Sequence, residues 1–276
     1  MNNPFKIHLM SYTSSPLKSI AFPIENLGIG KDITHADEIS YEEAQNAVSD
    51  TVKSWLTSPL EFASFNFFAQ NIPLFIVREW QRARIGWSYA ERSMRFYQID
   101  HSIIDRIDRR FYASLNDEEW SKFIDVCKSQ IDEYLRMKKA GTETQDARCV
   151  IGVWLPTQLQ TSANYRAIRD TMAMRLSSQA HIGWQIVAGD IKRLITEVDK
   201  TLGDNLVDVC AIQGKCVWFS KLDRGCKECE ERGRLPNHIH DFSLIKKNGD
   251  KQCSCGMLEK ESEKFHSGVY SFGSKS

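Results

Sequence analysis

The chain has 276 residues, 42% of them hydrophobic, with 36 Lys and Arg set against 36 Asp and Glu. That much apolar content supports a sizeable core, in one large domain or one domain with an appendage, and argues against a chain disordered throughout. Neutrality argues against a generalised electrostatic grip on nucleic acid and shifts the meaning of charge to local clusters, where small anions fit better than long polyanions.

The start, Met-Asn-Asn-Pro-Phe-Lys-Ile-His, has no basic segment followed by an apolar stretch, and no later apolar run approaches the roughly 20 residues of a membrane span. A soluble, cytoplasmic protein without a membrane partner is expected. Residues 1–40 offer little beyond strands and loops. Residues 41–56 place Ala44, Val48, Val52, Trp55 and Leu56 near helical spacing, and Ser58-Pro59 follows where that helix ends. Phe62 to Phe68 is dense in aromatics with intervening small polar residues and reads as a buried strand. Pro73 can open a second helix. Along it Phe75, Ile76, Trp80 and Ala83 form an apolar side, with Arg78, Glu79 and Arg82 on another, and Gly86-Trp87 ends it.

Between Arg78 and Tyr97 lie five arginines and a Glu91-x-Ser93-x-Arg95 alternation. If residues 88–97 are extended, Glu91, Ser93 and Arg95 share one face while Arg92, Met94 and Phe96 point away. Guanidinium forks and a hydroxyl suit phosphate oxygens, and a carboxylate can accept from a sugar hydroxyl or an amide, so a nucleotide satisfies the set. A solvated, salt-bridged strand is the competing reading.

Asn116 with Glu119 three residues later forms a capping box for a helix whose stripe is Trp120, Phe123, Ile124, Cys127, Ile131, Tyr134 and Leu135. A further helix spans about 164–180 through Ile168, Met172 and Leu176, and another spans about 184–202 through Ile186, Ile191, Leu194, Ile195 and Val198. Helices interleaved with irregular strands, without a Gly-rich strand-to-helix turn, indicate an α+β fold.

Together these pieces resemble the flavin-dependent thymidylate synthases. That family carries Arg-His-Arg-x-x-Ser-x-Asn-Glu-x-Ser-x-Arg-Tyr; here stand Arg82-Ala83-Arg84 and then Ser88-Tyr89-Ala90-Glu91-Arg92-Ser93-Met94-Arg95-Phe96, with one extra residue near Trp87. Ser58-Pro59-Leu60-Glu61 resembles a second family element, and Pro73 to Arg78 the helix before the motif. Ala147-Arg148, Asn164-x-Arg166 and Met174-Arg175 fall at family-like spacing. The resemblance covers about residues 55–190.

It implies a mostly antiparallel sheet flanked by long helices, a catalytic domain over 1–205, a homotetramer, and FAD as cofactor. NADPH and methylenetetrahydrofolate would be co-substrates for one-carbon transfer to C5 of a pyrimidine nucleotide, dUMP or a variant such as dCMP or UMP, ending as methyl or hydroxymethyl. Ser58, Glu61, Arg82, Arg84, Asn164, Arg166 and Asp170 match the cofactor positions. Glu79, Arg82, Glu91, Ser93, Arg95, Arg148 and Arg175 match the substrate positions, with Arg175 as the catalytic residue. The sequence departs from the family at Ala83 for histidine, Ala90 for asparagine, Glu79 and His181 for glutamine, Asp170 for asparagine, and Leu56 where a histidine is expected. Lost hydrogen-bonding groups leave partners unsatisfied unless the ligand has changed too, so one reading is an acceptor other than, or besides, dUMP, with Glu79 receiving the exocyclic amine of dCMP; the other is that the extra Trp87 compensates and the pocket still takes dUMP.

Residues 206–276 form a separate Cys/His-rich extension. Cys226-Lys-Glu-Cys229 and Cys253-Ser-Cys255, near Cys216, His238 and His240, read either as a structural zinc site with Cys226, Cys229, Cys253 and Cys255 as ligands, or as reduced cysteines. Two alternatives to the enzyme stay open at this point. One is a nucleic-acid-binding module with an arginine cluster and a zinc knuckle, against which neutrality weighs. The other is a flavoprotein that has lost the folate step.

Overall fold

The computed structural model describes residues 3–54, 56–177 and 180–209. The chain divides after Ile168 into two compact units. In chain order the first unit holds β1 (Lys6–Tyr12), α1 (Pro16–Pro23), α2 (Tyr41–Ser54), β2 (Ser64–Pro73), α3 (Leu74–Trp80), β3 (Trp87–Glu91), α4 (Asp117–Lys139), α5 (Thr144–Ala147) and β4 (Pro156–Asn164). The division falls within α6 (Tyr165–Arg175), and α7 (Ile182–Val198) and α8 (Lys200–Asp204) follow. The strands form one sheet in the order β1-β2-β4-β3, antiparallel throughout, which is the α+β arrangement expected.

β2 is central because its alternation serves a core on one face: Phe65, Phe67 and Ala69 are buried while Asn66, Phe68 and Gln70 are half-buried. Burying each phenylalanine contributes about 1.5–3 kcal/mol. Phe62, expected in the strand, lies instead in a 3₁₀ turn, Ser58–Phe62, set by Pro59. Asn71 interrupts the β2–β4 register with φ 56°, and its amide donates to the Pro4 carbonyl at 2.7 Å.

Three further expectations are corrected. Residues 1–40 contain α1 as well as β1: Pro16 opens it, and Leu17, Ile20 and Ala21 at three- and four-residue spacing are buried. α2 stops at Ser54, short of Leu56, which is exposed. The helix expected over 184–202 is two helices, because Asp199 adopts an extended backbone and its carboxylate accepts from Leu202 N–H at 3.0 Å, capping α8.

α4 begins as read, with Asn116 and Glu119 in a reciprocal capping box. Its Cys127, Ile131 and Tyr134 are buried in a core shared with Tyr97, Ile99, Ile103, Ile107, Trp154 and Leu155. Leu135, one step off that face, is exposed. Burial pushes the Cys127 thiol up to about 12, which keeps it protonated and inert. No helix among the described residues is long and apolar enough to cross a membrane. The cysteine-rich extension, with Cys226, Cys229, Cys253 and Cys255, lies outside the described residues from 210 onward.

Gly86 joins the α3–β3 connection to α6. Its φ is +72°, its carbonyl accepts from Asn164 N–H at 3.2 Å, and a Cβ added there would sit 2.7 Å from the Ala167 Cβ. Gly86→Ala therefore combines a left-handed backbone penalty of about 1–2 kcal/mol with overlap against helix. A loss of about 2–3 kcal/mol in chemical denaturation is the expected result.

Candidate active site

Beyond β3 the chain does not stay extended. Arg92 N–H makes a last sheet-like bond to the Gln158 carbonyl at 2.9 Å; the Ser93 carbonyl then accepts from Phe96 N–H at 3.2 Å, and the Ser93 hydroxyl accepts from Arg95 N–H at 3.3 Å. A turn thus replaces the extended segment expected through residue 97. The segregation of faces fails with it. Glu91, Arg92, Ser93, Met94 and Arg95 all line one pocket, completed by Leu74 and Arg78 from α3 and by Arg148, Cys149, Ile151 and Val153.

The pocket holds about 500 Å³, within the range of small-molecule sites. Its floor rests on the α4 core, since Met94 and Ile151 pack against the buried cluster containing Tyr97 and Leu155. The Phe75 N–H donates to the Val153 carbonyl at 2.9 Å and the Leu74 N–H to the Leu155 carbonyl at 3.0 Å, fixing α3 to the opposite wall.

Four guanidinium groups, from Arg78, Arg92, Arg95 and Arg148, meet there with one carboxylate, Glu91. Glu91 offsets only one of the four charges and pairs with none of them: its Oε2 accepts from the Gln81 side-chain amide at 3.0 Å. Among the described residues no carboxylate pairs with any of the four arginines. Gathering like charges without a counter-ion is unfavourable, and an anion placed among them reverses the sign. Arg92 is held in place by stacking on the Tyr97 ring, 4.2 Å from its centroid.

Of the residues expected to meet substrate, Glu91, Ser93, Arg95 and Arg148 are brought together in this pocket. Glu79 and Arg82 lie elsewhere in the same unit, Glu79 half-buried with partners of its own. Arg175 belongs to the second unit, where its guanidinium lies 4.6 Å from the Trp184 ring centroid. Arg78 and Arg92 were missed. Arg78 was assigned to the charged side of an amphipathic helix, and Arg92 was excluded by the alternation that the turn at Ser93 abolishes.

The expected cofactor residues of the first unit gather at the other end of the sheet. Ser64 pairs with Asn164 and Trp87 with Ala163, so the 3₁₀ turn bearing Ser58 and Glu61, the loop bearing Arg82 and Arg84, and Asn164-Tyr165-Arg166 converge. Glu61 and Arg166 form an ion pair at 2.6 Å, and the Asn164 side chain accepts from Ala167 N–H at 2.8 Å, capping α6. The Trp87 indole donates to the Ala167 carbonyl at 3.3 Å. The Tyr89 hydroxyl lies 2.6 Å from the Ala83 carbonyl and 2.8 Å from that of Trp80, donating to one of them, so it ties the arginine loop back to α3; burial raises its pKa. The run of β3 separates the two clusters by about 13 Å at 3.3 Å per residue. Asp170, in the second unit, is exposed. His181 caps α7, its Nδ1 accepting from Gly183 N–H at 3.0 Å. Among the described residues no cluster of three or more His, Cys, Asp or Glu is placed to hold a metal ion.

A family model described as thymidylate synthase complementing protein matches residues 8–199. The flavin-dependent thymidylate synthase of Thermosipho africanus is 27% identical over 160 residues, covering 52% of this chain and 68% of the relative. That of Pyrococcus abyssi is 24% identical over 198 residues, covering 66% and 74%. Among solved structures, a UMP/dUMP methylase from Streptomyces cacaoi bound with 5-Br dUMP superposes with a TM-score of 0.60 at 17% identity, covering 73% of this chain and 93% of that one. The same methylase bound with 5-Br UMP gives a TM-score of 0.55 at 16% identity. Likeness at that identity shows a shared fold.

Proposed function

The chain belongs to the thymidylate synthase complementing protein family, and from that membership we propose a flavin-dependent enzyme that transfers a one-carbon unit from methylenetetrahydrofolate to C5 of a pyrimidine nucleotide. The observation that carries this reading is the pocket in which Arg78, Arg92, Arg95 and Arg148 meet with no carboxylate paired to any of them among the described residues. A nucleotide phosphate supplies the missing charge, and Ser93 and Glu91 add a hydroxyl and an acceptor for sugar or base.

The residues at the far end of β3 fit a flavin dinucleotide in their donor chemistry. Arg82 and Arg84 are exposed, and neither guanidinium has a partner among the described residues. Arg166 is engaged with Glu61, and Ser58 and Asn164 stand beside them in the fold. Arg82, Arg84 and Arg166 would hold the diphosphate of FAD, with Glu61 orienting Arg166. Bound FAD would supply the hydride, drawn from NADPH, that takes the transferred carbon to the methyl level. Asp170, an exposed carboxylate where the family's usual residue is asparagine, is the weakest member of the cofactor set.

A uridine nucleotide is favoured over dCMP as acceptor, because Glu79, the group proposed to receive the exocyclic amine, does not line the pocket. A homotetramer is the proposed assembly. Ile85, Phe96 and Leu27, each largely exposed, supply apolar surface for it.

The test is mass spectrometry of dUMP, UMP and dCMP after incubation with the protein, FAD, NADPH and methylenetetrahydrofolate. A one-carbon gain on a uridine nucleotide is expected, its mass telling methyl from hydroxymethyl. Gain on dCMP alone would overturn the choice of base. Bound flavin with no gain on any acceptor would mean that the folate step is lost.

A further inference from the structure

The pocket carries more positive charge than a 5′-monophosphate neutralises, and the surplus has a definite address. Four arginines and one carboxylate line it, a formal excess of three positive charges, whereas a phosphate monoester brings about −1.5 to −2. Arg95 stands at a position of the family motif and Arg148 at family-like spacing, but Arg92 occupies a position where the motif specifies no residue. Its guanidinium carbon lies over the Tyr97 ring, 4.2 Å from the centroid, and its backbone N–H is tied to the Gln158 carbonyl. Tyr97 is itself buried, and its hydroxyl accepts from Arg106 at 3.3 Å, so the platform beneath Arg92 is fixed. Stacking occupies the face of a guanidinium and leaves its in-plane N–H donors available, and no described residue takes them.

We propose that Arg92 is a specificity-determining residue that recognises a second phosphate, so that this pocket takes a pyrimidine nucleoside diphosphate in preference to the monophosphate. The inference rests on the nucleotide-binding reading of the pocket and deepens it. A β-phosphate would complete the charge balance that the α-phosphate leaves open, with the in-plane edge of Arg92 donating to its oxygens. Orientation by Tyr97 is in place before the ligand arrives, so little side-chain entropy is lost on binding.

The experiment is calorimetric titration of the full chain, at one fixed salt concentration, with dUMP and dUDP, UMP and UDP, and with ADP as a diphosphate carrying a different base. The diphosphate of at least one uridine pair is expected to bind about tenfold more tightly than its monophosphate. Arg92→Gln should reduce diphosphate affinity by about that factor more than it reduces monophosphate affinity, and Arg92→Lys, which keeps the charge but not the stacked fork, should fall between. Equal affinity for mono- and diphosphate, or a preference that survives in Arg92→Gln, overturns the proposal while leaving the nucleotide site intact. Binding of ADP as tight as that of dUDP or UDP also overturns it, since charge alone would then explain the gain. Absence of binding by every uridine nucleotide overturns the proposal and the function from which it proceeds.

Discussion

We propose, from the family resemblance, that Arg175 is the catalytic residue, so Arg175→Ala is expected to lower kcat for C5 transfer by about 10²–10³ while changing the nucleotide KM far less. The acceptor carbon becomes nucleophilic only as negative charge develops on the pyrimidine. A fixed guanidinium beside that charge stabilises the transition state more than the ground state, and only that difference accelerates the step. Arg175 has the means to be fixed: it ends α6, is partly buried, and sits 4.6 Å from the centroid of the fully buried Trp184. That same contact supplies the competing account, in which Arg175 is a clamp between α6 and α7. The two separate in measurement. A clamp would show as a lower melting temperature with turnover per folded molecule preserved. The catalytic role predicts a folded, flavin-binding protein with its turnover lost. Arg175→Lys should recover part of the rate, as it keeps the charge but not the planar group that stacks on the indole.

What the sequence disclosed, and what it concealed, follows from how local each cause is. The α4 cap was legible because Asn116 and Glu119 satisfy each other's backbone donors within four residues. The stripe through Cys127, Ile131 and Tyr134 was legible because helical periodicity needs no knowledge of the partner. The end of β3 was not. It depends on the Ser93 turn and on Gln158, more than sixty positions away, which takes the last sheet bond of Arg92. That single change of direction decides which side chains meet. Alternation assigned Arg92 and Met94 to the opposite face, and both line the pocket with Glu91, Ser93 and Arg95. Family likeness pointed to four of the pocket residues, and Arg78 and Arg92, to which that likeness gives no role, emerged only from the packing of α3 and the Tyr97 ring. Gly86 is intermediate. Its place as a terminator was visible, but the reason it must be glycine lies in the Cβ of Ala167, on α6.

Arg148→Ala is expected to weaken uridine-nucleotide binding by about 10- to 100-fold, from the loss of a charge-assisted hydrogen bond of about 1.5–3 kcal/mol. Its effect on the free protein should have the opposite sign. Arg148 begins a short 3₁₀ turn, Arg148–Val150, where its carbonyl accepts from Ile151 N–H at 3.1 Å, a bond that alanine retains. Its guanidinium has no partner among the described residues and lines a pocket with three other arginines, so removing it relieves repulsion. The free variant should therefore melt at the same temperature as the parent or slightly above it, most visibly at low salt, where screening is weakest. Ligand-induced stabilisation should shrink: at a concentration of 100 Kd for the parent it is about 2.7 kcal/mol, and a tenfold weaker variant keeps about 1.4 kcal/mol at that same concentration. A structural arginine would behave otherwise, lowering the melting temperature of the free protein and leaving the increment from ligand unchanged. Thermal denaturation with and without dUMP or dUDP, at two salt concentrations, distinguishes these outcomes without requiring turnover. It tests the anion pocket even if the one-carbon chemistry proves to differ.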